Sequence, residues 1–98
     1  MKLTINKNGS ALEVNVAERL DTTTAPQFEK ELSAQIAGVT DLVLDFAELN
    51  YVSSAGLRAL LALQKVMNKQ GQMVIRHVNE NIMEVFEITG FVDIRTIE

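Results

Sequence analysis

The sequence predicts a small α/β domain in which a mixed, mostly parallel sheet of four to five strands packs with helices. Two patterns favour this fold class. Apolar and polar residues alternate at the start of the chain, and later apolar runs are separated by segments with helical periodicity. Strands that alternate with helices pair in parallel through right-handed crossovers. The length of 98 residues predicts one domain, residues 1–98.

The first element is a predicted β-hairpin. Leu3 and Ile5 alternate with polar residues, and the alternation returns at Leu12 and Val14. The Asn-Gly pair at 8–9 favours a tight turn between them, because both residues tolerate a positive φ. The hairpin contributes the antiparallel member of the sheet.

The first helix is predicted to begin near residue 24. Thr24 and Gln27 have the spacing of a capping box, with Thr22 as a competing cap, and Pro26 suits a first helical turn. Gly38 is expected to end the helix. Its buried face is formed by apolar residues at four-residue spacing: Phe28, Leu32 and Ile36.

Two apolar runs, 42–46 and 73–75, predict buried strands. The first is so continuously apolar that it is expected to be covered on both faces. A last edge strand is predicted at 92–95.

Two further helices are predicted. The second opens at 53–56 and ends near Gly71, and the third begins after a cap at Asn79 and ends at Gly90. The apolar positions of the second helix are Leu57, Leu60, Leu61, Leu63 and Met67. Those of the third are Ile82, Val85 and Phe86.

The predicted topology collects several polar residues at one edge of the sheet. Loops that follow parallel strands emerge together at the carboxyl edge, where open α/β sheets bind ligands. We therefore expect the loop at 21–23, the Ser53-Ser54 pair and the turn after His77 to lie together, with Asp45 beneath them.

Composition excludes several function classes. The net charge of −4 and the scattered basic residues argue against nucleic acid or membrane as a partner. Without cysteine and with a single histidine, no metal or cofactor site is predicted. No apolar run approaches the ~18 residues of a spanning helix, and the N-terminus turns polar too early for a signal peptide. We expect a cytoplasmic protein.

Ser53 and Ser54 stand at the start of the second predicted helix. One hydroxyl can accept a hydrogen bond from a backbone N–H as an N-cap, which is worth ~1 kcal/mol. The other is then left free at a positive helix end, which tolerates a phosphate. Gly56, costly in a first turn, suggests that something approaches the backbone closely there.

The chain resembles the STAS domains and, more narrowly, the bacterial anti-sigma factor antagonists. The similarity rests on 42–46 followed by 51–58, on Arg19-Leu20-Asp21 before the first helix, and on 88–91 after the third. It covers essentially the whole chain. The resemblance implies a STAS fold and a protein without catalytic activity.

The resemblance also implies a phosphorylation switch. An anti-sigma factor that is itself a serine kinase would phosphorylate Ser54, with Ser53 as the alternate, and a serine phosphatase would reset the cycle. Ser53 stands where many members carry Asp, and Ala55 takes the small-residue position before Gly56. Together with the shared sheet edge, this gives the predicted partner-binding set: Asp21, Thr22, Thr23, Ser53, Ala55, Gly56 and Arg58.

The residues themselves are also compatible with purely structural roles. Asp21 and the threonines after it suit turns and caps, and Arg58 suits a solvated helix face. A constitutive STAS subunit of a lipid-transport complex or a stressosome-like scaffold would use the serine only as a cap. An enzyme with Ser54, His77 and Asp45 as a triad is disfavoured, because Val52 replaces the first glycine of a nucleophile elbow.

Overall fold

The computed structural model describes residues 2–89 and contains five strands and three helices, which confirms the predicted α/β class. Apolar alternation forms the first hairpin, and helical periodicity forms each of the three helices, as predicted. The elements in chain order are β1 (Lys2–Asn8), β2 (Ala11–Leu20), α1 (Ala25–Gln35), β3 (Asp41–Asp45), β4 (Leu49–Val52), α2 (Ser54–Gln70), β5 (Gln72–Arg76) and α3 (Glu80–Thr89).

The sheet is mixed and mostly parallel. β1 lies antiparallel to β2, β3 lies parallel to β2, and β5 lies parallel to β3. The ten-residue β2 pairs with β3 along residues 11–15 and with β4 along residues 18–20. A shift in register at Glu18, which has φ 75°, separates the two pairings.

β4 was not predicted from the sequence. It has only four residues, and its burial pattern shows no alternation. The predicted strand at 92–95 lies outside the described residues, as does Gly90.

The hydrophobic core lies on one face of the sheet, under the helices. Its largest fully buried side chains are Phe28, Phe46, Phe86, Leu12, Leu20, Leu32, Leu42, Leu44, Leu49, Leu60, Met67 and Ile75. On the opposite face Val43 and Val74 are only half-buried, and their neighbour Glu13 is exposed. The prediction that 42–46 is covered on both faces is therefore wrong for the described chain.

The structure differs from three local predictions, which concern the hairpin turn, Leu61 and Gly71. The hairpin loop is Gly9-Ser10, with Asn8 still paired to Ala11, so the predicted Asn-Gly turn is displaced by one residue. Leu61 is 40% exposed rather than buried. Gly71 follows α2 as predicted, but in an extended conformation, and glycine is required there because a Cβ would collide with the Thr40 carbonyl.

The third helix begins as the sequence predicts. The Asn79 side chain accepts a hydrogen bond from the backbone N–H of Ile82 at 2.8 Å. Over residues 2–89, no helix is both long enough and apolar enough to cross a bilayer.

Gly56 allows α2 to pack closely on the end of β2. A Cβ at this buried position would lie 2.5 Å from the carbonyl oxygen of Leu20 and 3.0 Å from its Cγ. The close approach expected at Gly56 is thus made by the chain itself. This glycine is explained by packing and does not indicate a bound partner.

We expect Gly56→Ala to lower the free energy of unfolding by about 1–2 kcal/mol. Overpacking costs about 1–3 kcal/mol, which outweighs the roughly 1 kcal/mol that alanine gains over glycine in a helix. Urea unfolding followed by circular dichroism measures the change. A gain in stability would contradict the packing account, because it would show that β2 and α2 separate easily.

Candidate functional site

The candidate site lies where β2 and β4 end side by side. Leu20 and Val52 are partners in the parallel ladder, and the next backbone N–H, that of Ser53, donates to the Leu20 carbonyl at 2.9 Å. The loop after β2 therefore lies next to the first turn of α2. This confirms that the Asp21 loop and the serine pair share one edge of the sheet.

Asp21 organises the loop after β2. Its carboxylate accepts hydrogen bonds from the backbone N–H of Thr23 at 3.0 Å, the Thr23 hydroxyl at 2.8 Å and the Thr24 N–H at 3.2 Å. It also pairs with the Arg19 Nε at 3.1 Å. The Thr23 hydroxyl and Arg19, with these backbone donors, hold the pKa of Asp21 well below its usual range.

The predicted capping box of Thr24 and Gln27 does not form. Thr24 stands at the N-cap position of α1, but its side chain makes no cap hydrogen bond. Its hydroxyl points back, accepting from the Asp21 N–H at 2.8 Å and donating to the Arg19 carbonyl at 3.0 Å. Thr22 does not replace it as the N-cap, and its side chain is exposed.

Arg19 and Tyr51 lie on the sheet beside the site and contact each other. They are neighbours across the β2–β4 ladder, and the Arg19 guanidinium lies 4.6 Å from the centre of the Tyr51 ring. The sequence patterns include both residues but do not predict their contact. Their contact follows from the pairing of β4, which carried no sequence signal.

The two serines have different surroundings. Ser53 has an extended backbone, its Oγ accepts from the Gly56 N–H at 3.3 Å, and its carbonyl accepts from the Leu57 N–H at 2.9 Å. It is the N-cap of α2. Ser54 is exposed, and within residues 2–89 its hydroxyl makes no hydrogen bond.

Arg58 lies one turn beyond Ser54 on the exposed side of α2. Its Nε is 3.5 Å from the Ser54 carbonyl oxygen, so the guanidinium can reach the level of the serine. Ala55, between them, is half-buried. The first turn of α2 contains no acidic residue.

Asp45 and His77 form a separate pair. The Asp45 carboxylate lies 3.0 Å from the His77 Nδ1 and accepts from the Ala47 N–H at 2.9 Å. Partial burial raises the pKa of Asp45, but the Ala47 N–H and His77 outweigh it and leave the pKa below its usual value.

The prediction that the turn after His77 lies with the serine loop, with Asp45 beneath them, is wrong. Asp45 pairs with Asn15, five residues before Leu20 on β2, which places it about 16 Å back along the strand. The chain runs on from β3 into β4 before it reaches the serines. This separation also removes the basis for a Ser-His-Asp triad.

Replacing each serine by alanine should separate the cap from the free hydroxyl. We expect Ser53→Ala to cost about 1 kcal/mol of stability, because the Gly56 N–H loses its acceptor. Ser54→Ala is the matched control and should change stability by less than about 0.5 kcal/mol. Equal losses in urea unfolding would show that Ser54 also caps the helix.

The Asp21 loop should make stability depend on acid. A carboxyl whose pKa is lower when folded stabilises the protein above its unfolded pKa of about 3.9, and the contribution disappears as pH falls toward the folded pKa. The difference in urea midpoint between wild type and Asp21→Asn should thus be largest near neutral pH and shrink below about pH 4. Glu29→Gln, at an exposed position on α1, is the control for the change in net charge. If the difference in urea midpoint between wild type and Asp21→Asn does not depend on pH, the lowered pKa of Asp21 is refuted.

Comparison with known proteins places this architecture in a family. The family model of the STAS domain matches residues 2–98. BtrV of Bordetella bronchiseptica, provisionally named an anti-sigma factor antagonist, is 40% identical over 96 residues, covering 96% of this chain and 83% of BtrV. The anti-sigma-B factor antagonist of Bacillus subtilis strain 168 is 28% identical over 91 residues, covering 92% of this chain and 84% of that protein.

A solved structure has the same fold. The Bacillus cell fate determinant SpoIIAA, in its phosphorylated form, matches with a TM-score of 0.79 at 16% identity, covering 99% of this chain and 89% of that chain. The order of elements, the mixed sheet and the family match along nearly the full length all agree with the resemblance noted in the sequence. The chain belongs to the STAS domain family.

Proposed function

We propose that this STAS domain is an anti-sigma factor antagonist, which binds an anti-sigma factor that is a serine kinase and is released when the kinase phosphorylates Ser54. The exposed hydroxyl of Ser54, free of hydrogen bonds within the described chain, carries the proposal. The names of the relatives, one of them 40% identical, support the antagonist role. A kinase that consumes ATP and controls a sigma factor acts in the cytoplasm, which is where the proposal places this chain.

Ser54 suits phosphorylation better than Ser53. The Ser53 hydroxyl is half-buried and already accepts the Gly56 N–H, so modifying it would remove the cap. A phosphate on Ser54 adds about −1.5 to −2 charges beside the unpaired N–H groups of the helix start, which favour an anion. The fold can therefore accept the phosphate without rearrangement.

A docked partner would respond strongly to the same phosphate. An anion brought under an acidic surface, or buried without a partner, costs several kcal/mol, and about 3 kcal/mol lowers affinity more than 100-fold. The surface that the partner would cover contains the exposed Thr22, Thr23 and Arg58, with Asp21, Ser53 and Ala55 partly exposed. Gly56 is buried and shapes this surface from below. A serine phosphatase would reverse the modification.

Phosphorylation of the purified protein by its candidate kinase tests the proposal. With ATP present, mass spectrometry should locate one phosphate on Ser54, and Ser54→Ala should remain unmodified. Ser53→Ala is the matched control and should still be phosphorylated.

Binding to the kinase should follow the charge at position 54. We expect Ser54→Asp to bind more weakly than wild type and Ser54→Ala to bind as tightly, because only the first adds a negative charge. Phosphate on other residues alone, or wild-type affinity for Ser54→Asp, would contradict the switch. Wild-type affinity for Ser54→Asp would favour a constitutive scaffold, in which the serine pair only caps the helix.

A further inference from the structure

The exposed side of α2 carries a cationic stripe that continues from Ser54. The stripe consists of Arg58, Leu61, Lys65 and Lys69, all exposed. At 100° per residue, these four side chains and Ser54 fall within one arc of roughly 80° on the helix surface. The stripe extends about 22 Å along the axis from Ser54 to Lys69.

The charge of this helix opposes that of the rest of the chain. α2 contains three basic residues and no Asp or Glu, so it contributes +3 to a protein of net charge −4, and the remainder carries −7. Within residues 2–89, no acidic side chain pairs with Arg58, Lys65 or Lys69. A surface patch of one sign favours a partner of the opposite sign.

An apolar residue lies in the middle of the cations. Leu61 is 40% exposed on the same arc, between Arg58 and Lys65. A charged stripe with an apolar centre is typical of a protein docking surface, in which the apolar contact is enclosed by a polar rim. A membrane surface fits less well, because the main apolar face of α2 is buried in the core and the protein as a whole is acidic.

We propose that the stripe of α2 is the second half of the docking surface and binds an acidic face of the partner protein, with an apolar residue at its centre that meets Leu61. The inference rests on the function proposed above and identifies the chemistry of the partner surface. The stripe would also strengthen the effect of the switch. A phosphate on Ser54 would reduce the charge along this side from +3 to about +1, which weakens attraction along the whole stripe.

Charge reversal at Lys65 tests the stripe away from the modified serine. Lys65 lies about 16 Å along the axis from Ser54, so Lys65→Glu leaves the phosphorylation site intact. Lys7→Glu on β1 is the matched control, since Lys7 is exposed and pairs with Leu12 at the opposite end of β2. Both variants make the same change in net charge.

The probe is the purified kinase that modifies wild type at Ser54. We expect Lys65→Glu to bind it about 10-fold more weakly at about 0.1 M salt, mainly through slower association, and the difference to shrink at about 1 M salt. Lys7→Glu should bind like wild type. Circular dichroism is used to check that both variants are folded.

The other outcomes overturn the inference in distinguishable ways. If wild type is phosphorylated on Ser54 and Lys65→Glu binds as tightly, the stripe is refuted and the switch stands. If Lys7→Glu loses as much affinity as Lys65→Glu, net charge rather than the stripe is responsible. If wild type does not bind the kinase, both the proposed function and the proposed role of the stripe are refuted. Sedimentation of wild type, but not Lys65→Glu, with vesicles of phosphatidylglycerol and phosphatidylcholine in equal parts would assign the stripe to a membrane instead.

Discussion

The carbonyl group of Leu20 holds the candidate site together. Its oxygen accepts the Ser53 N–H at 2.9 Å, and the same oxygen occupies the space that a side chain at position 56 would need. The last residue of β2 is thereby fixed to the first turn of α2. Because β2 also pairs with three other strands, the whole sheet sets the position of that turn. The loop at 21–24 follows directly and lies beside it.

This junction gives the two adjacent serines different roles. Ser53 has the extended backbone of an N-cap, with φ −92° and ψ 176°, which directs its hydroxyl to the Gly56 N–H. Ser54 is the first helical residue, and its side chain is exposed. A hydroxyl can thus be modified at the helix start without loss of the cap. The residues alone left open which serine caps the helix, and only the family resemblance favoured Ser54 for phosphorylation; the geometry shows that Ser53 is the cap.

Local signals predicted most of the fold. The alternation at Leu3 and Ile5, the four-residue spacing in α1 and the cap at Asn79 all depend on neighbours within four residues, and all appear in the structure. Apart from the displaced hairpin turn and the capping box of Thr24, the errors involve distant partners. β4 forms only because β2 continues past a change of register at Glu18, and nothing in four residues of sequence shows that.

The candidate site shows the same limit. Its two loops were placed correctly from topology, because parallel strands share their carboxyl edge. Asp45 and His77 were misplaced because that rule assumes strands ending at one level, whereas β3 stops beside Asn15 and β4 continues to Leu20. Thr24 fitted a capping box by spacing, yet Asp21 and Arg19 hold its hydroxyl. Spacing identifies a side chain that can cap, and the competing donors and acceptors decide whether it does.

The same charge distribution would serve both states of the proposed switch. Without phosphate, the cations of α2, which pair with no acidic side chain within residues 2–89, would attract an acidic partner. With phosphate, the absence of any acidic residue in α2 spares the helix a like-charge repulsion, and Asp21 across the loop is already paired with Arg19. The Asp21 loop is closed by its own hydrogen bonds and Ser53 keeps its cap, so the added charge has little local structure to disturb. The free-energy cost of the phosphate would therefore fall on the complex rather than on the fold, as a binding switch requires.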